Sequence, residues 1–128
     1  MEKIIVIVFC LFLYACKSTK VITNLPDKEV ISKEVNEGNY RLIVSFFSPG
    51  NGIDHKMKQE YTKFIENYGR KITFEDVLWG KEGEVDFCFS LKELSGKEQE
   101  EFVKTSKELL SKSTRVHVYE NTPCRHKR

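Results

Sequence analysis

From Tyr40 the chain alternates, with Leu42, Val44 and Phe46 on one parity and Arg41, Ile43 and Ser45 on the other, until Pro49-Gly50-Asn51-Gly52 interrupts it. A period of two closed by breakers predicts a strand followed by a loop. The period then changes: Ile53, Met57, Tyr61, Phe64, Ile65 and Tyr68 recur at helical spacing, with Lys56, Lys58, Gln59, Lys63 and Glu66 on the other side and Gly69 at the end. This predicts an amphipathic helix with a C-terminal glycine. Residues 72–79 and 84–91 are rich in β-branched and aromatic types and are joined by Gly80-Lys81-Glu82-Gly83, a hairpin connection. Ser95 with Glu98 forms a capping box, after which Phe102, Val103, Ser106, Leu109 and Leu110 make the stripe of a second helix. Residues 115–120 alternate once more before Asn121-Thr122-Pro123.

The predicted order is β-α-β-β-α-β. With right-handed crossovers it folds into a four-stranded antiparallel sheet carrying both helices on one face, an α+β architecture. Over residues 40–120 the topology resembles the ferredoxin-like superfold, which hosts unrelated functions and so implies none of them. The helix-facing side takes Leu42, Val44, Phe46, Phe74, Val85, Phe87, Phe89, Val116 and Val118. The other face should carry Ile43, Ser45, Phe47, Cys88, His117 and Tyr119, together with Trp79. So many apolar and aromatic groups on an uncovered sheet call for a protein partner, a second copy, or cover from the amino-terminal linker. Phe47, Trp79, His117 and Tyr119 are therefore the candidate binding residues.

Ahead of the domain, residues 4–14 (IIVIVFCLFLY) form an apolar run of 11 after Lys3. A membrane-spanning helix needs about 20 apolar residues, so the run has signal-peptide proportions. Leu13-Tyr14-Ala15-Cys16, followed by the polar Lys17-Ser18-Thr19-Lys20, resembles the lipobox of bacterial lipoproteins. The resemblance implies cleavage before Cys16, acylation of its thiol and new amine, and a stable lipid anchor in the cell envelope. Lys17, in place of aspartate after the cysteine, implies an outer-membrane, periplasm-facing location. The competing reading is an ordinary secretory signal with Cys16 a plain thiol. The expected organisation is a leader over 1–15, an acylated cysteine and polar tether over 16–39, the domain over 40–120 and a basic tail over 121–128.

Composition adds constraints. Charged residues are 31% and hydrophobic ones 40%, ordinary for a folded domain, and a net charge of +2 provides no global field for nucleic acid. An exported chain without an RNP-like aromatic signature is not expected to bind nucleic acid. With Cys10 in the leader and Cys16 acylated, Cys88 and Cys124 are the remaining thiols. They form a disulfide if Cys124 curls back across the first strand; otherwise Cys88 is a small buried hydrophobe beside an exposed Cys124. No CxxC or HxxxH spacing suggests a metal site, and no cofactor is implied.

The loop Ser48-Pro49-Gly50-Asn51-Gly52-Ile53-Asp54-His55 enters a helix start, where free N–H groups can hold an anion. Its plain reading is a turn and cap. Glu75, Asp76, Glu82, Glu84 and Asp86 are expected to be solvated hairpin charges, and the basic tail Cys124-Arg125-His126-Lys127-Arg128 a solvated end able to touch anionic envelope surfaces. The expectation is a membrane-anchored envelope lipoprotein whose domain is a non-enzymatic binding module. The alternative is a small hydrolase or anion-handling enzyme using Gly50 to His55.

Overall fold

The computed structural model describes residues 38–127; the leader, Cys16, most of the tether and Arg128 lie outside them. The elements are β1 (Asn39–Phe46), α1 (His55–Glu66), β2 (Glu75–Leu78), β3 (Val85–Phe89), α2 (Gly96–Leu110) and β4 (Val116–Pro123). All pairings are antiparallel and the sheet order is β2-β3-β1-β4, so the fold is ferredoxin-like. Among the described residues no helix is long and apolar enough to cross a membrane.

Strand parity decides the two sides. Leu42, Val44 and Phe46 of β1 and Val85, Phe87 and Phe89 of β3 pack with Met57, Tyr61 and Ile65 of α1 and Phe102, Val103 and Leu110 of α2 in one core. Both helices therefore cover the same sheet face, each burying the stripe that its 3.6-residue period creates. Fully burying one such side chain contributes about 1.5–3 kcal/mol. The Tyr61 hydroxyl, deep in this core, donates to Ser106 Oγ at 3.0 Å and ties α1 to α2.

The ends are set locally. Asp54 caps α1 by accepting from Met57 N at 2.9 Å, and Ser95 caps α2 in a reciprocal box with Glu98. Three boundaries differ from the pattern. The strand expected over 72–79 pairs only at Glu75–Leu78, because Ile72 and Phe74 turn into the core instead of continuing the ladder. β3 ends at Phe89, as Leu91 takes a φ of 55°, opening a turn whose carbonyls at Leu91 and Leu94 are capped by the Gln99 amide. β4 runs three residues past Glu120: Asn121 adopts a φ of 54°, which asparagine tolerates, and pairing resumes at Tyr40↔Thr122 and Asn39↔Pro123.

Candidate functional site

The face away from the helices is organised around a carboxylate. Asp86 shares Cys88's parity on β3, so it points away from the core, yet it is only 1% exposed. Its register partner Ser45 donates to Oδ1 at 2.6 Å, the Trp79 indole N–H donates to the same oxygen at 3.0 Å, and His126 Nδ1 lies 2.7 Å from Oδ2. A buried carboxylate demands such partners, since leaving it unpaired is costly. Glu84 is buried too, accepting from Glu82 N at 2.8 Å. The expectation of solvated hairpin charges is thus corrected for Asp86 and Glu84, whereas Glu75, Asp76 and Glu82 are exposed.

His126 reaches Asp86 because Cys88 and Cys124 are joined by a disulfide, with a Cα–Cα distance of 6.1 Å. In the sheet order β1 lies between the strands that lead to these cysteines, so the tail doubles back across it and Ile43 is sealed beside the bridge. The basic tail is therefore no solvated end. Arg125 donates to the Tyr119 hydroxyl at 3.3 Å with its guanidinium 4.7 Å from that ring; His126 stacks on Trp79 at 4.0 Å; Lys127 Nζ lies 2.6 Å from Glu75 Oε2 and donates to the Tyr40 hydroxyl at 2.9 Å. The paired Glu75 and Tyr40 oxygens push the Lys127 ammonium pKa up, and the same Lys127 and Tyr40 contacts hold the Glu75 carboxyl below its usual range.

Each candidate binding residue has a definite place. Phe47 stacks on His117 at 4.3 Å, and His117 stands 6.1 Å from Tyr119, so three of the four form one row at the β1–β4 side. Trp79 is separate, on the β2–β3 side, stacked on His126 and still 38% exposed. Its neighbour Leu78 is 71% exposed, and a cleft of about 580 Å³ is lined by Leu78, Trp79, Arg125, His126 and Lys127. The carboxyl-terminal tail covers part of the face; the amino-terminal linker, which was one of the alternatives expected to cover it beside a partner or a second copy, lies outside the described residues.

The Gly50 to His55 loop is already filled. Ser48 Oγ accepts from Gly50 N at 3.0 Å and Gly52 N at 2.8 Å and donates to Glu82, which also draws on Gly52 N at 3.4 Å. A carboxylate of the chain itself thus stands where an anion would sit. Asp54 is spent on its cap and on Ser113, contacts that lower its pKa, with the Met57 N–H the larger cause. His55 is exposed and makes no side-chain hydrogen bond among the described residues. On the other face, Ser45 gives its proton to Asp86 and not to His126, so these three groups do not form a nucleophile–base relay.

Sequence reasoning missed Asp86, Ser45, His126, Tyr40, Glu75 and Lys127 as a set. A signal was present: His126 follows Cys124 by two residues and Asp86 precedes Cys88 by two. Two extended residues span roughly 7 Å, so bridging the cysteines brings those two side chains within reach on one face. Set against protein-family models, curated proteins and solved structures, the chain matches none.

Proposed function

We propose that this chain is a lipid-anchored envelope protein, held through Cys16 and facing the periplasm from the outer membrane, whose α+β domain binds a partner without catalysis through the sheet face opposite its helices. One observation carries the binding half of this reading. Phe47, His117 and Tyr119 form a row of neighbouring rings on a sheet face that no helix covers. Aromatic rows of this kind supply contact area at low entropic cost. The filled Gly50 to His55 loop and the lone His55 favour binding over hydrolysis. The anchoring half rests on Leu13-Tyr14-Ala15-Cys16 and the short apolar run before it.

Two measurements test it. Mass spectrometry of protein from native membranes should show a mature chain starting at an acylated Cys16, and Cys16→Ala should move the protein out of the detergent phase. A photo-crosslinker at position 117 in the membrane-bound protein should give a discrete adduct that Phe47→Ser and Tyr119→Ser each diminish. A free Cys16 thiol would end the anchoring reading, and an adduct pattern indifferent to both serine variants would end the binding one.

A further inference from the structure

Three consecutive basic side chains of the tail each meet an aromatic ring on the sheet face. Arg125 lies over Tyr119 at 4.7 Å, His126 over Trp79 at 4.0 Å and Lys127 over Tyr40 at 5.6 Å. Two of the three also meet a carboxylate, His126 at Asp86 and Lys127 at Glu75. Ring faces with carboxylates beside them are the chemistry that recognises basic side chains, through cation–π attraction and charge-assisted hydrogen bonds. The tail's backbone adds almost nothing. Among the described residues the one backbone–backbone hydrogen bond of residues 124–127 runs from Lys127 N to Cys124 O at 3.4 Å, inside the tail itself. Side chains and a single disulfide therefore hold four residues across the sheet.

We propose that this face is a receptor for a basic peptide segment of another protein, and that the chain's own tail is a strap occupying it until thiol–disulfide exchange opens the Cys88–Cys124 bridge. The inference rests on the binding-module reading and names the partner's chemistry. A thiolate of a reducing dithiol attacks one sulfur and forms a mixed disulfide, while the other sulfur leaves as a thiolate and takes up a proton. The dithiol's second thiol then displaces the remaining cysteine, so the dithiol ends as a disulfide and Cys88 and Cys124 as thiols. The strap then loses its covalent tie, and an incoming segment competes with it for the same three rings.

Trp79 is the sole tryptophan and is stacked on His126, so its fluorescence reports whether the middle position is filled. The full chain, oxidised or reduced with dithiothreitol, is titrated with a labelled peptide Thr-Pro-Ser-Arg-His-Lys-Arg. Reduction, or Cys124→Ser, is expected to change Trp79 emission and to tighten peptide binding by about tenfold or more, as removal of a tethered competitor should. Asp86→Asn and the exposed Glu75→Gln should each weaken the peptide, the second variant serving if the first fails to fold. Unchanged emission on reduction would overturn the strap. Equal peptide affinity in both redox states, or none in the reduced state, would overturn the receptor. Self-association of the reduced protein in sedimentation would assign the rings to a second copy and overturn the heterologous partner. Each failure is separable from that of the broader reading through the Phe47→Ser arm of the position-117 adduct, because Phe47 stacks on His117 and, unlike Tyr119, is not among the rings that the strap meets.

Discussion

Asp86 illustrates how strongly one residue constrains its surroundings. A carboxylate with 1% exposure is tolerable only because Ser45, Trp79 and His126 all direct polar groups at it. Asp86→Ala strands the Ser45 hydroxyl and the indole N–H, and the expected loss is about 1–3 kcal/mol in urea unfolding. Asp76→Ala, at an exposed position of the edge strand in the same hairpin, should stay within about 0.5 kcal/mol. The core holds a second test. Burial pushes the Tyr61 phenol pKa far up, so it remains a neutral donor to Ser106. Tyr61→Phe leaves Ser106 Oγ without that donor and should cost about 1 kcal/mol; adding Ser106→Ala should recover much of it, because removing both partners leaves nothing unsatisfied. A denaturant-midpoint cycle that showed simple additivity would refute the coupling.

At the scale of elements, the caps carry the clearest pH signature. Asp54 holds the start of α1 through Met57 N and reaches Ser113 before β4, and these bonds depress its pKa below 3.8. A depressed acid adds stability above its unfolded pKa and loses it as pH falls through the folded one. Asn is as good a cap but carries no charge. Asp54→Asn should therefore keep α1 intact at pH 7 while flattening the fall of thermal midpoint as pH drops below the ordinary 3.8 of the carboxyl, by a modest amount since the group is near solvent. An acid limb as steep as in the parent chain would show that Asp54 is not its source. The elements themselves were largely legible in the sequence, because each rests on local information: the parity of Leu42, Val44 and Phe46, the Ser95–Glu98 box, the glycines at 80 and 83. What escaped was non-local. Nothing near Asn121 announces that β4 continues to Pro123; the continuation depends on pairing with Asn39 and Tyr40, some eighty residues earlier. Burial of Asp86 likewise depends on Trp79, Ser45 and a tail that arrives only by crossing β1.

The whole molecule has apolar clusters on both sides of its sheet, and they are secured differently. The helix side is a continuous core of aliphatic and aromatic side chains, whereas the far side is small, Ile43 with the Cys88–Cys124 bridge, and depends on a covalent link. That bridge joins positions 36 residues apart, and removing a closure of this length from the unfolded chain should cost about 4 kcal/mol. Domains of this size have about 5–15 kcal/mol to lose, so Cys88→Ala/Cys124→Ala should remain folded with a clearly lower thermal midpoint. The loss should also be spatially uneven. Hydrogen exchange should speed up at Cys88 and Trp79, which lose the packing of the bridge and strap, and most at residues 124–127, which side-chain contacts alone then hold to the sheet. Amides of α1 and α2 should keep their rank as the slowest, because the core they pack into is separate from the cluster that holds the bridge. The ionic hold of the strap has its own window: the depressed Glu75 contributes its full stabilisation above its ordinary 4.5 and the raised Lys127 below its ordinary 10.5. Between those limits the bridge-free tail keeps the whole Lys127–Glu75 contribution, which falls away as pH drops through the lowered Glu75 pKa or climbs through the raised Lys127 pKa. Exchange at residues 124–127 in the double variant should therefore rise above its intrinsic pH dependence at both extremes. Uniform acceleration across helices and tail would mean that the two sides unfold as one unit, and that the bridge supports the entire domain and not the strap alone.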